Sequence, residues 1–253
     1  MTGFTVFARK EMLEIWRTWR KWVLPGILAF FALTGPPLAR YTAEIVKAFA
    51  GSQLAGFTVP EPTYLDSYSQ WAKNLTQVAL FALVIIYGGL VSAESRSGTA
   101  VLVLTKPVSR SAFVLGKALV NAAFVAVLLV AGTAVTWGLT AAFFGTAPGA
   151  ALWGSALVWL VLGVQFIALM TLLSVVIGSA AGAAGAGLGV YVLLSIASIW
   201  KPLGSYSPAG LPAQATALAA GTEASPLWPV LTSLALSVLL VAAAAVLFRR
   251  KEL

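Results

Sequence analysis

Glu94-Ser95-Arg96-Ser97-Gly98-Thr99-Ala100-Val101-Leu102-Val103-Leu104-Thr105-Lys106-Pro107-Val108-Ser109-Arg110, continuing to Gly116-Lys117, is the one long basic segment lying between two strongly hydrophobic runs. Polar residues and Gly98 open it, an apolar stretch fills its middle and Pro107 closes it. The residue before a proline is disfavoured in the helical region, so the pattern predicts a short helix from Gly98 to about Thr105 or Lys106. Val101, Leu102, Val103 and Leu104 are too few to cross a bilayer and too many for a freely solvated loop. They need a surface to press against, either the membrane interface or the groove of another protein.

The runs on either side of this loop set the class. The 253 residues are 60% hydrophobic and 9% charged, with a mean hydropathy of +0.93, where a soluble domain carries roughly 25% charged residues. The reading is a single all-α integral membrane domain, residues 1–253, with spans at 22–38, 75–93, 118–144, 152–176, 182–200 and 227–248. Each is near the roughly 20 residues a helix needs to cross hydrocarbon. Pro36-Pro37 is expected to close the first span, leaving 39–74 and 201–226 as loops on one side. Ahead of the spans, Phe4, Phe7, Met12, Ile15, Trp16, Trp19 and Trp22 recur at three to five residues, with Arg9, Lys10, Glu14, Arg17, Arg20 and Lys21 largely between them. That is an amphipathic, interfacial elbow helix over 1–21, held in the membrane surface by Trp16, Trp19, Trp22 and Arg17.

Charge assigns the sides. Twelve of the 16 Lys and Arg residues fall in the amino-terminal segment, the 94–117 loop and the carboxy-terminal tail. By the positive-inside rule both termini and this loop are cytoplasmic, and 39–74 and 201–226 are extracytoplasmic. The formal charge of +8 sits in patches between apolar runs, so it reads as topology and no nucleic-acid binding is expected. With no Cys and no His, disulfides and thiolate or imidazole metal sites are excluded, and Met1, Met12 and Met170 form no cluster.

No ionisable residue lies deep in the six spans, with Glu94 and Lys117 at the cytoplasmic boundary, which argues against an ion-coupled carrier. The run Gly182 to Gly189 lacks the Lys-Ser/Thr ending of a phosphate-binding loop, and Gly178, Gly182, Gly185 and Gly189 read as close helix packing. Asn121, Gln165 and Thr171 are candidates for lining a substrate path, or else polar glue between helices. Asn74-Leu75-Thr76 fits a glycosylation acceptor beside a span. No catalytic cluster is found beyond the loop carboxylates Glu61 and Asp66, so no enzymatic activity of the chain's own is expected.

The run Glu94 to Thr99, then Leu104-Thr105-Lys106-Pro107-Val108-Ser109-Arg110 and Gly116-Lys117, resembles the cytoplasmic loop of the ABC type-2 permeases. These are the membrane subunits of type V exporters, among them the nitrous oxide reductase maturation permease group. The elbow, six spans and cytoplasmic termini extend the resemblance over the whole chain. It implies an inner-membrane permease subunit of an exporter, in which two permease chains, as a homodimer, stand on two copies of a separate ATPase that binds ATP and Mg, with no cofactor held by this chain. The largely apolar spans suit a lipid-like or amphipathic peptide substrate better than a free ion. It also implies that Gly98 to Leu104 is a coupling helix docking in that ATPase. Glu94, Arg96, Gly98 and Thr99 lie at its start, Leu102 and Leu104 in its apolar middle, and Pro107, Arg110 and Lys117 after it. A membrane scaffold that anchors an ATPase without transport, and a secondary transporter, are the alternative readings.

Overall fold

Long apolar segments leave backbone polar groups no partner in lipid except their own helix, so membrane-crossing segments of this composition are helical. In the computed structural model the described residues are 3–50, 60–99 and 109–250, and every regular element among them is a helix. These are α1 (Gly3–Arg17), α2 (Arg20–Ala50), α3 (Tyr64–Asn74), a π-helical turn (Leu75–Ala79), α4 (Leu80–Tyr87), α5 (Ser92–Arg96), α6 (Arg110–Phe144), α7 (Gly149–Ile177), α8 (Ala180–Ala197), α9 (Lys201–Tyr206), a 3-10 turn (Pro208–Gly210), α10 (Leu211–Ala219) and α11 (Leu227–Arg249). Six stretches are long and apolar enough to span a membrane, the second being the composite from Tyr64 to Arg96. The protein is an all-α integral membrane protein.

Three expected boundaries are corrected. Pro36-Pro37 does not end the first helix, since α2 carries Pro25, Pro36 and Pro37 inside it and runs on to Ala50. Within an apolar bundle the carbonyls that a proline frees find neighbouring partners, and the helix continues. The expected loop 39–74 therefore consists largely of the end of α2 and of α3, whose start is fixed by the Asp66 carboxylate accepting from the Thr63 backbone N–H at 2.7 Å. The expected loop 201–226 folds into α9, the 3-10 turn and α10. Leu211, Ala215 and Ala219 of α10 are fully buried against the bundle.

The second span is the centre of the molecule. Trp71, Leu75, Leu80, Leu83 and Tyr87 are all buried, packed with Leu24 and Leu28 of α2 and Trp159, Phe166 and Met170 of α7. The threonines of α6 face α3: Thr133 Oγ1 accepts from Trp71 Nε1 at 3.2 Å, and Thr140 Oγ1 bonds Ser67 Oγ at 2.7 Å. Gly88 lets α4 meet α8, where a Cβ would lie 2.4 Å from the Ala180 carbonyl oxygen. The acceptor pattern at Asn74 is embedded in this packing, with Leu75 and Thr76 buried in the π turn. A second apolar cluster at the basic end joins Phe7 of α1, Phe113 of α6, Val175 of α7 and Phe248 of α11. The Phe113 and Phe248 rings stack there at 5.3 Å.

Candidate functional site

On α1, Phe7, Glu11 and Ile15 follow each other at four-residue spacing, so they form one stripe of the helix. All three are buried. A carboxylate within an apolar stripe needs a buried partner, and α6 supplies it. Lys117, two turns into α6 and 0% exposed, donates to Glu11 Oε1 at 3.1 Å and Oε2 at 3.2 Å. It also donates to Glu94 Oε1 at 2.7 Å. Lys10 closes the group from the other side, donating to Glu11 Oε1 at 2.9 Å, Glu14 Oε2 at 2.6 Å and Glu94 Oε1 at 2.5 Å. The ammonium of Lys117 sits 5.3 Å from the Phe113 ring centre and that of Lys10 5.6 Å from Phe7, so the second apolar cluster forms the wall of the ionic one.

Two ammonium groups thus meet three carboxylates. Burial pushes the Glu14 carboxyl above its ordinary value, outweighing the pull of Lys117 and Lys10, and Glu94 and Glu11 add to the rise. Burial works against the Lys10 ammonium, but Glu14, Glu94 and Glu11 more than offset it and hold its proton above the usual lysine range. Carboxylate oxygens of Glu11, Glu14 and Glu94 lie within 4.8 Å of one another, a grouping a cation could use, and the two lysine ammonium groups already occupy it.

The cluster ties three elements at the start of the basic loop. Ser174 Oγ of α7 accepts from the backbone N–H groups of Val91 and Ser92 at 3.0 and 2.9 Å, satisfying the amides where the chain breaks between α4 and α5. After α5, Gly98 adopts φ +73°, the left-handed turn that glycine allows at a helix end. Thr99 Oγ1 donates to the Glu94 carbonyl at 3.4 Å. Arg96, Gly98 and Thr99 are exposed beyond this knot. Arg110 does not join it: its Nη1 donates to the Arg249 carbonyl at 3.0 Å, at the end of α11. Leu102, Leu104 and Pro107, and with them most of the expected coupling helix, lie outside the described residues.

The remaining expected sites separate. Trp16, Trp19 and Trp22 are exposed, flanking the break between α1 and α2 where a membrane surface would meet them, and Arg17 is exposed beside them. Asn121 donates to the Lys117 carbonyl at 2.8 Å and Thr171 to the Ile167 carbonyl at 2.7 Å, both bonds within their own helices. Gln165 is buried and its Oε1 has no partner among the described residues. None of the three lines the 560 Å³ groove that opens beside them between α6, α7 and α11. Of the four glycines read as packing contacts, Gly178 instead closes α7 at φ +69°, a Cβ on Gly182 would meet the local Ser179 hydroxyl at 2.6 Å, and Gly185 and Gly189 face open space. The close approach in that run belongs to Gly187, whose Cβ would lie 2.5 Å from Met170 Sδ. Sequence reasoning missed Lys10, Glu11 and Glu14 as site residues; the legible signal was Glu11, a charge on the apolar stripe of an amphipathic helix.

A family described as ABC-2 family transporter protein matches residues 5–253. No curated protein matches the chain.

Proposed function

The chain belongs to the ABC-2 family of transporter proteins, and from that membership we propose that it is the permease subunit of an ATP-driven exporter whose separate ATPase docks on the 94–117 loop. The observation that carries this reading is the Lys117–Glu94 pair. It fastens the first residue of the loop to α6 at 2.7 Å, while Glu11 and Lys10 fasten both to α1. A push on the loop is then delivered to two helices at once, and rigid-body tilting of the spans follows from it. Exposed Arg96, Gly98 and Thr99 offer the partner a polar entry, and the apolar Val101 to Leu104 a face to bury.

In this reading two permease chains, as a homodimer of the type V arrangement, stand on two ATPase subunits. These bind ATP and Mg, and this chain contributes no nucleotide site. The resemblance of the loop to the nitrous oxide reductase maturation permeases supports export. The positive-inside rule supports an inner-membrane location with both termini and the loop cytoplasmic. An apolar interior favours a lipid-like or amphipathic peptide as substrate over a free ion.

The test is purification of tagged protein from its native membrane in mild detergent, with bound proteins identified and nucleotide hydrolysis measured, beside Leu104→Asp. Wild type is expected to bring down an ATPase that Leu104→Asp loses. Wild type that purifies alone and inactive under conditions preserving complexes contradicts the reading. Liposome assays in which only small ions move contradict the substrate class.

A further inference from the structure

The groove between α6, α7 and α11 holds about 560 Å³. Its floor is built from small residues of three helices, Ala118 and Ala122 of α6, Ala168 of α7 and Ala245 of α11. Exposed Leu119 and Val238 form its rims. Along α11 it runs from Leu234 to Arg249, which at 1.5 Å per residue is about 22 Å. That is about half of the roughly 40–45 Å of a whole bilayer with its headgroups, or one leaflet from midplane to surface.

Its surface end differs from the rest. Arg249 and Ser111 line it, and Arg249 Nε donates to Ser111 Oγ at 2.6 Å. Arg110 Nη1 donates to the Arg249 backbone carbonyl at 3.0 Å, which brings a second guanidinium to the end of α11, with Arg250 next in sequence. The Nε bond uses one of the five N–H donors of Arg249 and fixes its fork, the geometry suited to a phosphate.

We propose that this groove is a binding site for one anionic phospholipid of the leaflet at the basic end of the bundle. An acyl chain lies along the alanine floor and the headgroup sits on Arg249. The occupant follows from length and charge: a chain-wide apolar trough one leaflet deep, ending at Arg249 with the basic Arg110 and Arg250 next to it, fits a lipid with a net negative headgroup better than a zwitterionic one. A protein helix would have to lay an acidic terminus on those arginines and leave the lateral opening to lipid. The site does not depend on the ATPase or on transport.

The experiment embeds the full chain in nanodiscs of equimolar phosphatidylglycerol and phosphatidylcholine, then counts retained lipids by native mass spectrometry. Wild type is expected to keep one phosphatidylglycerol per chain, enriched over phosphatidylcholine. Arg249→Gln should lower that enrichment about fivefold, the effect of one surface arginine on anionic lipid. Ala242→Phe, which fills the groove from an exposed position, should abolish retention, while Ala242→Ser keeps it; unchanged thermal midpoints in all three variants show that each is folded. Retention of both lipids in the ratio of the disc overturns the proposal. So does equal retention by Ala242→Phe and wild type. A change in oligomeric mass with Ala242→Phe at unaltered lipid content also overturns it, and makes the groove a protein interface.

Discussion

Lys117 is the residue on which the ionic cluster turns, because it alone among the described residues is a fully buried cation. Removing one partner of a buried ionic group leaves uncompensated charge, at a cost of about 3–5 kcal/mol. Lys117→Met is therefore expected to lower stability by that amount in detergent-induced unfolding. Adding Glu11→Gln to it should cost less than the two single losses together, the sign of direct coupling in a double-mutant cycle. Glu14 gives the pH dependence. Its folded-state pKa is raised above the ordinary 4.5, so its stabilising contribution is complete below 4.5 and is lost as pH rises through the folded value. Glu14→Gln removes that loss. The stability of Glu14→Gln relative to wild type should rise with pH above about 4.5 and then level off, as thermal midpoints across a pH series will read. A flat difference would show that burial does not govern this carboxyl.

Among the elements, the second span is assembled from pieces: α3, a π turn, α4, four residues of turn, then α5. Each piece is placed by a neighbour. Trp71 is held by Thr133, the amides after α4 by Ser174, and the α4 terminus by the approach of α8 at Gly88. A Cβ at Gly88 would press on backbone at 2.4 Å, whereas one at Gly138 of α6 meets nothing within 4 Å. Gly88→Ala should destabilise by about 1–3 kcal/mol through overpacking, and Gly138→Ala should stabilise by about 0.5–1 kcal/mol through helix entropy. Unfolding of the two variants side by side checks the pair, and equal effects would contradict the placement of α8. The π turn has its own marker, the Tyr191 hydroxyl reaching the Thr76 carbonyl at 3.5 Å.

For the whole molecule, the distribution of exposed apolar side chains matches its solvent. Phe30 of α2, Val127 of α6, Leu157 of α7, Leu193 and Ile196 of α8 and Val238 of α11 all point outward, which in lipid costs nothing because acyl chains are as apolar as leucine. The charge distribution makes the orientation measurable, and the absence of native cysteine makes the measurement clean. Single cysteines at exposed Ser97, Arg250 and Thr222 should divide two against one. Thr222→Cys is expected to react with a membrane-impermeant maleimide in intact cells, and Ser97→Cys and Arg250→Cys only after permeabilisation. The opposite pattern would invert the topology and with it the proposed docking side.

The class and the number of spans were legible in the sequence, because hydrophobicity and charge are local quantities that sum along a chain. The bounds of the expected 94–117 loop were not, since Glu94 lies in α5 and Arg110 to Lys117 form the first two turns of α6. A helix ahead of the first span, α1, was legible from the spacing of its apolar residues. The continuation of α2 past Pro36-Pro37 was not, since a proline ends a helix only where its surroundings leave the freed carbonyls unsatisfied. Nor were the glycine contacts: Gly88 and Gly187 pack while Gly185 and Gly189 do not, a distinction set by which face of α8 meets the bundle. The ionic cluster was decided by tertiary structure alone. Lys117 and Glu11 stand 106 residues apart, and only the docking of α1 on α6 joins a charge at the edge of the loop and one on the amino-terminal helix into one buried pair.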